Sequence, residues 1–311
     1  MSIAAEKRID AGGLSLERKR RYAAAAFISL LILSVFWPSP IVSANRLWLH
    51  ADLAIDELSF LGREAPSWDV VFWFIAGLLL LMICQTADQR ATLETPRRIL
   101  RELRFAPRLA RGALLGLAFG AVVTAIVWLA FDSVILASAE MARVKPVEDV
   151  NRLINRLSGG MNPVMIVVFF LVAGIAYLER RWVAYAIGMA MSGLAAGILV
   201  QIIKHLVGRA RPELWLGPSH YAPGTATSFP SGHTVGAFAL AGVLIFGSKS
   251  VTLRIVALVL AIAAGTARII SFRHWASDVT ASAAIGLVTA WVCVELVGAR
   301  KDLADSEIRE T

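Results

Sequence analysis

Three groups of cationic, imidazole and carboxylate side chains occupy a short stretch of the chain, and their spacing could support phosphoryl transfer. In chain order the groups are Lys204 with Arg211 and Pro212, then Pro230, Ser231, Gly232 and His233, and finally Arg268, His274 and Asp278. Each group alone is weak, because basic residues often anchor the ends of membrane spans and a Pro-Ser-Gly-His segment is commonly a turn. Together they supply cations, a nucleophile and an acid, which favours chemistry at a phosphate.

The cations and the glycine-containing segment predict an anion site. Lys204 offers a compact point charge, and the guanidinium groups of Arg211 and Arg268 match phosphate oxygens in a fork. Ser231 and Gly232 precede an apolar run, so we expect them at the start of a helix. Free backbone N–H groups and the helix dipole favour an anion at that place.

The histidines predict covalent catalysis. His274 and Asp278 are four positions apart, which places them on one face if a helix has begun. A carboxylate bound to one ring nitrogen would leave the other nitrogen free to attack, so His274 is the expected nucleophile. His233 is the expected general acid for the leaving oxygen and then the base for the hydrolytic water. Side-chain cations stabilise the transferred group in this scheme, so we expect neither a metal nor another cofactor.

Long apolar runs must position these residues. The 311 residues are 57% hydrophobic and 17% charged, which is typical of a membrane protein. Only helices satisfy their backbone in lipid at this run length, so we predict an all-α integral membrane protein. Its eight expected transmembrane helices lie near residues 22–42, 69–87, 112–136, 163–178, 182–203, 233–248, 251–269 and 278–298.

The basic residues predict the orientation of the spans. With eight spans, five arginine- and lysine-containing segments fall on one side of the membrane: the segment before the first span, the loop 88–111, the turns at Arg180 and Lys249, and the tail from residue 299. The positive-inside rule makes that side cytoplasmic. All three chemical groups are then expected at the opposite face. This explanation of the net charge of +8 is preferred to nucleic-acid binding, which we do not expect.

Two features outside the chemical groups leave alternatives open. Residues 1–44 resemble a signal peptide that ends at Val42-Ser43-Ala44, although the apolar run is long for one. The outer loop 137–162 contains an apolar stripe (Val147, Val150, Leu153, Ile154, Leu157) that favours an interfacial packing helix over a substrate lid. His205 and His220 are expected at surface or supporting positions, and Asp132 is expected at the end of a span.

The three groups together resemble the type 2 phosphatidic acid phosphatase superfamily, whose motifs are Lys-x6-Arg-Pro, Pro-Ser-Gly-His and Ser-Arg-x5-His-x3-Asp. The resemblance implies phosphate binding by Lys204, Arg211, Ser231, Gly232 and Arg268. It implies catalysis by His274 and His233, with Asp278 orienting the nucleophile. It also implies a six-span core at 112–298, with an N-terminal addition (1–111) and a tail (299–311). Ala267 stands where the motif has serine, which could alter substrate preference.

Several functional alternatives remain open. The expected partner is a phosphorylated membrane lipid, and the expected location is a bacterial inner membrane with the site facing the periplasm or exterior. Phosphatidate, phosphatidylglycerophosphate, undecaprenyl diphosphate and lipid A are all candidates. A lipid phosphotransferase, or a transporter or scaffold that only binds anionic headgroups, would use some of the same residues. The spacing of His274 and Asp278 favours catalysis over binding, and the oligomeric state is not predicted.

Overall fold

The computed structural model describes residues 107–158, 162–176, 179–223 and 227–297. The predicted spans 22–42 and 69–87, the signal-like segment and the tail from 299 lie outside these residues. The division of the chain at residues 111 and 298 therefore stays a prediction.

The described residues are nearly all helical, which confirms the predicted fold class. The helices are α1 Pro107–Ala130, α2 Asp132–Met141, α3 Lys145–Ser158, α4 Asn162–Ala176, α5 Arg180–Val207, α6 Gly232–Gly247, α7 Val251–Ile270 and α8 Ala276–Val297. Within the same residues, four helices (α1, α5, α7 and α8) are long and apolar enough to cross a membrane, and α4 and α6 are shorter apolar helices. These six helices correspond to the six predicted spans that the structure describes.

Helices α6 and α8 form the centre of the bundle and approach each other closely. A Cβ atom at Gly286 of α8 would lie 2.7 Å from the Val235 carbonyl oxygen and 2.9 Å from the Ala239 nitrogen. A Cβ at Gly242 of α6 would lie 2.5 Å from the Cβ of Ala290. Small residues let two backbones meet in this way in a membrane protein. The contact fixes the first turns of α6 and α8, which carry His233 and Asp278.

The remaining helices surround this pair. α1 and α5 pack on α8, α5 and α7 pack on α6, and α4 packs on α5. Met189, Val243 and Val294 are fully buried where α5, α6 and α8 meet. Leu129 of α1 and Leu260 of α7 are more than half exposed. Apolar side chains on an outer face of this kind suit contact with lipid tails rather than water.

The predicted span 112–136 is interrupted at Phe131. The structure begins α1 at Pro107, ends it at Ala130 and starts α2 at Asp132. Asp132 is fully buried and bonded to polar groups of two other segments, so this position turns inward instead of facing lipid. A carboxylate in hydrocarbon without such partners would be costly, which explains the break.

The predicted helix in the loop after α1 is present as α3, but it packs with a different face. Val150 and Leu153 of the predicted apolar stripe are exposed, whereas Asn151 is buried. Asn151 and Asn155 both donate a hydrogen bond to the Ser271 hydroxyl, at 3.0 and 2.9 Å. Polar contacts therefore attach α3 to the end of α7.

Two loops meet at one end of the bundle. Gly208 ends α5 with φ of 60°, and a Cβ there would lie 2.3 Å from the Cα of Pro223. The chain then returns beside itself, as Ala210 donates to the His220 carbonyl. The Glu213 amide donates to the Phe272 carbonyl, which joins the α5–α6 loop to the α7–α8 loop. Residues from all three sequence motifs thereby lie at the same end of the molecule.

Candidate active site

His274 is buried in the loop between α7 and α8, with one ring nitrogen bonded. Its Nδ1 lies 2.7 Å from the Ser228 carbonyl oxygen. A carbonyl can only accept, so Nδ1 carries the proton and Nε2 keeps its lone pair. Burial lowers the pKa of His274, although Asp278 acts in the opposite direction. The side chain is thus a neutral imidazole with a nucleophilic Nε2.

Asp278 supports His274 by a less direct route than the sequence predicted. Its Oδ2 lies 3.8 Å from His274 Nδ1, too far for a hydrogen bond. That oxygen instead accepts from the Ser228 hydroxyl at 2.5 Å and from the Trp275 amide at 2.9 Å. Because α8 begins only at Ala276, His274 is not on the same helical face as Asp278. The carboxylate holds the Ser228 peptide, and that peptide orients the imidazole.

A buried ion network stands behind Asp278. Arg209 donates to Asp278 Oδ1 at 2.6 Å, to Asp132 Oδ2 at 2.7 Å and to the Ser277 hydroxyl at 2.7 Å. Asp132 also accepts from the amide and the hydroxyl of Ser277, at 2.8 and 2.6 Å. The Arg209 guanidinium lies 5.3 Å from the ring centre of Trp275. The network links α2, the α5–α6 loop and α8.

His233 lies in the first turn of α6, within electrostatic reach of the other site residues. The charges of Lys204, Arg211, Arg268 and His274 all act on its ring. The three motifs are therefore brought together around this side chain. A group placed among three cations and facing a second imidazole is positioned to exchange a proton with an anionic ligand.

The segment at the start of α6 contributes in two different ways. A Cβ at Gly232 would lie 3.8 Å from Lys204 Nζ, so this ammonium group borders the first turn of the helix. Ser231 is fully buried, and its amide donates to the Ser282 hydroxyl at 2.8 Å. Its hydroxyl accepts from Thr234 at 2.9 Å. Gly232 thus lies beside the Lys204 ammonium group, whereas Ser231 connects α6 to α8.

Arg211 shares an acidic neighbour with a cation that the motifs do not contain. Its Nη1 lies 3.5 Å from Glu213 Oε1, and its Nη2 donates to the Thr227 hydroxyl at 3.4 Å. The same Glu213 oxygen accepts from Arg273 at 3.0 Å. We refer to Arg211, Glu213 and Arg273 as the rim cluster. All three side chains are partly exposed, so the rim cluster is accessible to solvent.

Arg268 is oriented by α3. Its Nη1 donates to Asn155 Oδ1 at 2.8 Å, and its Nε is buried without a hydrogen-bond partner among the described residues. The neighbouring Ala267 is almost fully buried, and its carbonyl accepts from the Ser271 hydroxyl at 2.7 Å. The amide of Asn155 binds that same hydroxyl, so α3 fixes both the end of α7 and the guanidinium.

The described residues contain no group of three or more His, Cys, Asp or Glu side chains placed to hold a metal ion. The buried carboxylates Asp132 and Asp278 are both occupied by Arg209. What the site offers a ligand is cationic and imidazole chemistry.

Four residues of this arrangement are not among the predicted site residues: Ser228, Arg209, Asn155 and Asp132, which was expected only at the end of a span. Asp132 gave a usable signal, because a carboxylate next to an apolar run is a functional candidate. Arg209 lies within the Lys204–Arg211 motif but at a position that the motif leaves unspecified. Ser228 acts through its carbonyl as well as its hydroxyl, and sequence alone does not reveal a carbonyl's direction.

The fold and the site geometry define a class of protein. It is a helical membrane protein whose cationic site contains two histidines. Residues 181–302 match the PAP2 superfamily, which confirms the family suggested by the motifs. The match includes every predicted site residue.

Two curated relatives are similar to part of the chain. A protein of Porphyromonas gingivalis named lipid A 1-phosphatase is 39% identical over 112 residues, which are 35% of this chain and 22% of that protein. A protein of Rhizobium johnstonii with the same name is 38% identical over 104 residues, 31% of this chain and 40% of that protein. The chain thus spans well under half the length of both relatives.

One solved structure is similar to part of the chain. A transmembrane PAP2-type phosphatidylglycerolphosphate phosphatase from Bacillus subtilis is 21% identical, with a TM-score of 0.49. The similarity covers 59% of this chain and 94% of that chain.

Proposed function

We propose that this protein is a metal-independent phosphatase of a membrane lipid phosphate or diphosphate that acts through a phosphohistidine. The observation that carries the proposal is the hydrogen bond from His274 Nδ1 to the Ser228 carbonyl. It supplies a neutral imidazole with a free Nε2 near Arg211 and Arg268, which mere binding of an anionic headgroup does not need.

In the first step His274 Nε2 attacks the phosphorus, and the bond from phosphorus to the lipid oxygen breaks. His233 gives its proton to the leaving oxygen, so a lipid phosphate leaves as an alcohol, and a lipid diphosphate, attacked at its terminal phosphorus, leaves as the lipid monophosphate. Lys204, Arg211 and Arg268 stabilise the charge on the equatorial oxygens, and Gly232 offers a backbone N–H at the start of α6.

In the second step water attacks the phosphohistidine on phosphorus, and the bond to Nε2 breaks. His233, now neutral, takes the proton from the water. Inorganic phosphate leaves, and both histidines return to their initial states. Asp278 contributes by holding the Ser228 peptide, which keeps the proton on Nδ1 throughout.

The substrate is proposed to be a lipid because the site lies at one end of apolar helices with lipid-type outer surfaces. Both curated relatives carry the name lipid A 1-phosphatase, so lipid A with a 1-phosphate is the first substrate to test. The distribution of basic residues supports a site at the non-cytoplasmic face of a bacterial inner membrane.

The deciding experiment measures phosphate release from purified lipid phosphates by the full chain and by His274→Ala. We expect the variant to lose at least about a thousandfold in kcat while it remains folded. His205→Ala is the matched control, since that imidazole is exposed and bonded to its own helix at Gln201. Undiminished release by His274→Ala would sink the proposal. Appearance of a phosphorylated lipid acceptor in place of inorganic phosphate would identify a phosphotransferase.

A further inference from the structure

An apolar cavity of about 480 Å³ lies between α3, α4, α6 and α7. Its wall includes Ile154 of α3, Ala237 and Ala241 of α6, and Leu253, Ala261 and Ala264 of α7. Small side chains on α6 and α7 leave the space open. A volume of this size is in the range of protein cavities that hold small molecules.

One end of the cavity lies next to the candidate active site. Ala237 is one helical turn from His233 on α6, and Ala264 is one turn from Arg268 on α7. Residues four apart lie on the same helix face, so both walls continue the faces that carry those two side chains. On α3, Ile154 lines the cavity and the adjacent Asn155 binds Arg268.

The cavity also opens sideways toward the lipid-facing surface. Ile166, Val256 and Leu260 belong to its wall and are substantially exposed on the outside of the bundle. Its wall on α7 extends from Ala264 to Leu253, which corresponds to roughly 16 Å along the helix axis. An extended apolar group could thus enter from the bilayer and run along α7 to a point one turn from Arg268.

A second apolar cavity, of about 420 Å³ between α1, α5 and α8, is the rival position. The charged group in its wall is Arg209, accompanied by the hydroxyl-bearing residues Thr124, Tyr221 and Ser277. Arg209 is bonded to Asp132 and Asp278, and its charge is therefore directed at two carboxylates instead of a ligand. Of the two cavities, the one beneath His233 and Arg268 is adjacent to cations that face the site.

We propose that the cavity between α3, α4, α6 and α7 binds one hydrocarbon chain of the phosphorylated substrate. The inference rests on the proposed phosphatase function and adds a second recognition element to it. Binding the chain one turn below the cations places the attached phosphate next to Arg268 and His233. The cavity wall is apolar, so an amphiphile with a phosphate end and a hydrocarbon chain is the substrate class it fits.

The test uses the detergent-solubilised full chain and water-soluble phosphatidic acids with butanoyl, hexanoyl or octanoyl chains, below their micelle concentrations. Phenyl phosphate serves as the substrate without a chain. For the wild type we expect kcat/KM to rise by up to roughly fourfold per added methylene, as each group leaves water. Soluble substrates are essential, because a chain that is already in a bilayer gains little by moving into an apolar cavity.

Two variants fill the cavity from partly buried positions, Ala237→Phe on α6 and Ala263→Phe on α7. We expect both to flatten the increase with chain length while phenyl phosphate hydrolysis changes less than about twofold. Ala125→Phe is the matched control, since it fills the rival cavity from α1. If Ala237→Phe fails to fold, Ala263→Phe decides the outcome, and Ala263→Leu replaces that variant if it fails as well.

Each outcome has one meaning. The proposal is supported if Ala237→Phe and Ala263→Phe, but not Ala125→Phe, flatten the increase of kcat/KM with chain length. Flattening by Ala125→Phe alone assigns the chain to the rival cavity, and an unchanged slope in all variants shows that the chain stays outside both; either result overturns the proposal. An equal loss of kcat/KM for phenyl phosphate also overturns the proposal, because the added phenylalanine would then disturb the catalytic groups rather than the binding of the chain. Failure of the wild type to release phosphate from any substrate contradicts the proposed function itself.

Discussion

Ser228 binds both of the residues in the α7–α8 segment for which a catalytic role is proposed, His274 and Asp278. Its carbonyl accepts from His274 Nδ1, and its hydroxyl donates to Asp278 Oδ2. A carboxylate is thereby coupled to an imidazole through one peptide unit rather than by a direct bond. The arrangement keeps the imidazole in one tautomer while the negative charge of Asp278 is neutralised by Arg209.

The pH dependence follows from the environment of His274. Burial lowers the pKa of this side chain below the ordinary value of about 6.5, so the neutral nucleophile persists through the neutral range. We expect kcat/KM to fall on the acid side only below about pH 6.5, as His274 becomes protonated. Measuring kcat/KM from about pH 5 to pH 9 tests this expectation.

The same shift has a consequence for stability. The folded state binds a proton on His274 less readily than the unfolded chain does. The stability linked to His274 is therefore fully present above about pH 6.5. The free energy of unfolding declines as the pH falls below that value, because the unfolded chain binds the proton more readily. His205→Ala should leave the pH–rate profile unchanged, since that imidazole is exposed and away from His274. A flat profile in the wild type, with chemistry limiting the rate, contradicts the two-histidine mechanism.

The buried ion network predicts a loss of stability when one carboxylate is removed. Asp132→Asn leaves Arg209 with a single ionic partner in an environment that excludes water. Breaking a buried pair in this way costs about 3–5 kcal/mol, so a clear drop in thermal midpoint is expected. Because Arg209 also binds Asp278, the factor by which kcat falls should be larger than the factor by which KM changes.

Thermal unfolding and steady-state kinetics of Asp132→Asn are measured beside Glu140→Gln. Glu140 is an exposed carboxylate on the same helix, so its variant should change both quantities little. Equal stability of Asp132→Asn and the wild type would show that the network is not needed to hold α2 against α8.

Residue types identified only part of this site. Lys204, Gly232, His233, Arg268 and His274 could be selected because charge, imidazole and glycine at fixed spacing have few joint explanations. The roles of Arg209 and Asn155 depend on where a loop and a separate helix end in space. Local sequence does not determine that position, since it results from packing among segments far apart in the chain.

Helix α3 is held against the end of α7 by hydrogen bonds of its side chains. Its asparagines bind the Ser271 hydroxyl, and Asn155 also accepts from Arg268. An amphipathic helix could have been held by its apolar residues alone, but here amide side chains fix its register. The position of the guanidinium is therefore set by α3 rather than by α7, on which Arg268 lies.

Replacing Asn155 should weaken phosphate binding without unfolding the bundle. Asn155→Leu removes the acceptor at 2.8 Å from Arg268, and a hydrogen bond to a charged group contributes about 1.5–3 kcal/mol. We expect kcat/KM for a lipid phosphate to fall roughly tenfold to a hundredfold, mainly through KM. Asn155→Asp, which keeps an acceptor, should recover most of the loss.

Arg152→Ala is the control for this prediction. Arg152 is exposed on α3, and its ion pair with Asp149 lies on the surface. Its removal should change kcat/KM less than about twofold. Equal effects of Asn155→Leu and Arg152→Ala would mean that α3 only covers the site.

Hydropathy was sufficient to predict the helices of the bundle but not their interruptions. The α5, α6, α7 and α8 bounds agree with the predicted spans within a few residues at most ends, because an apolar run must be helical in lipid. The break at Phe131 could not be obtained from hydropathy, since it reflects the partner that Asp132 finds on another segment. The buried face of α3 was likewise hidden, because its contacts are polar.

The three motifs lie at one end of the bundle. This agrees with the prediction that successive spans cross the membrane in alternating directions. The side of the membrane that this end faces stays a prediction from the basic loops. The α5–α6 loop and the α6–α7 turn should then lie on opposite sides. Both contain exposed residues that can be replaced without touching the site.

Cysteine labelling tests this orientation. In a background with Cys84 and Cys293 replaced by alanine, Ser219→Cys in the α5–α6 loop should react with a membrane-impermeant maleimide added outside spheroplasts. Lys249→Cys at the α6–α7 turn should react only after the membrane is permeabilised. The reverse pattern would place the site on the cytoplasmic side and contradict the prediction.

Glu213 is a built-in counter-ion for the two arginines of the rim cluster. Its carboxylate lies 3.5 Å from Arg211 and 3.0 Å from Arg273, so an incoming phosphate competes with it for the rim cluster. That competition weakens every phosphate ligand by a similar amount. A ligand with additional contacts can offset the cost, whereas free inorganic phosphate cannot. The rim cluster would then favour product release and help to keep each turnover from ending in a trapped product.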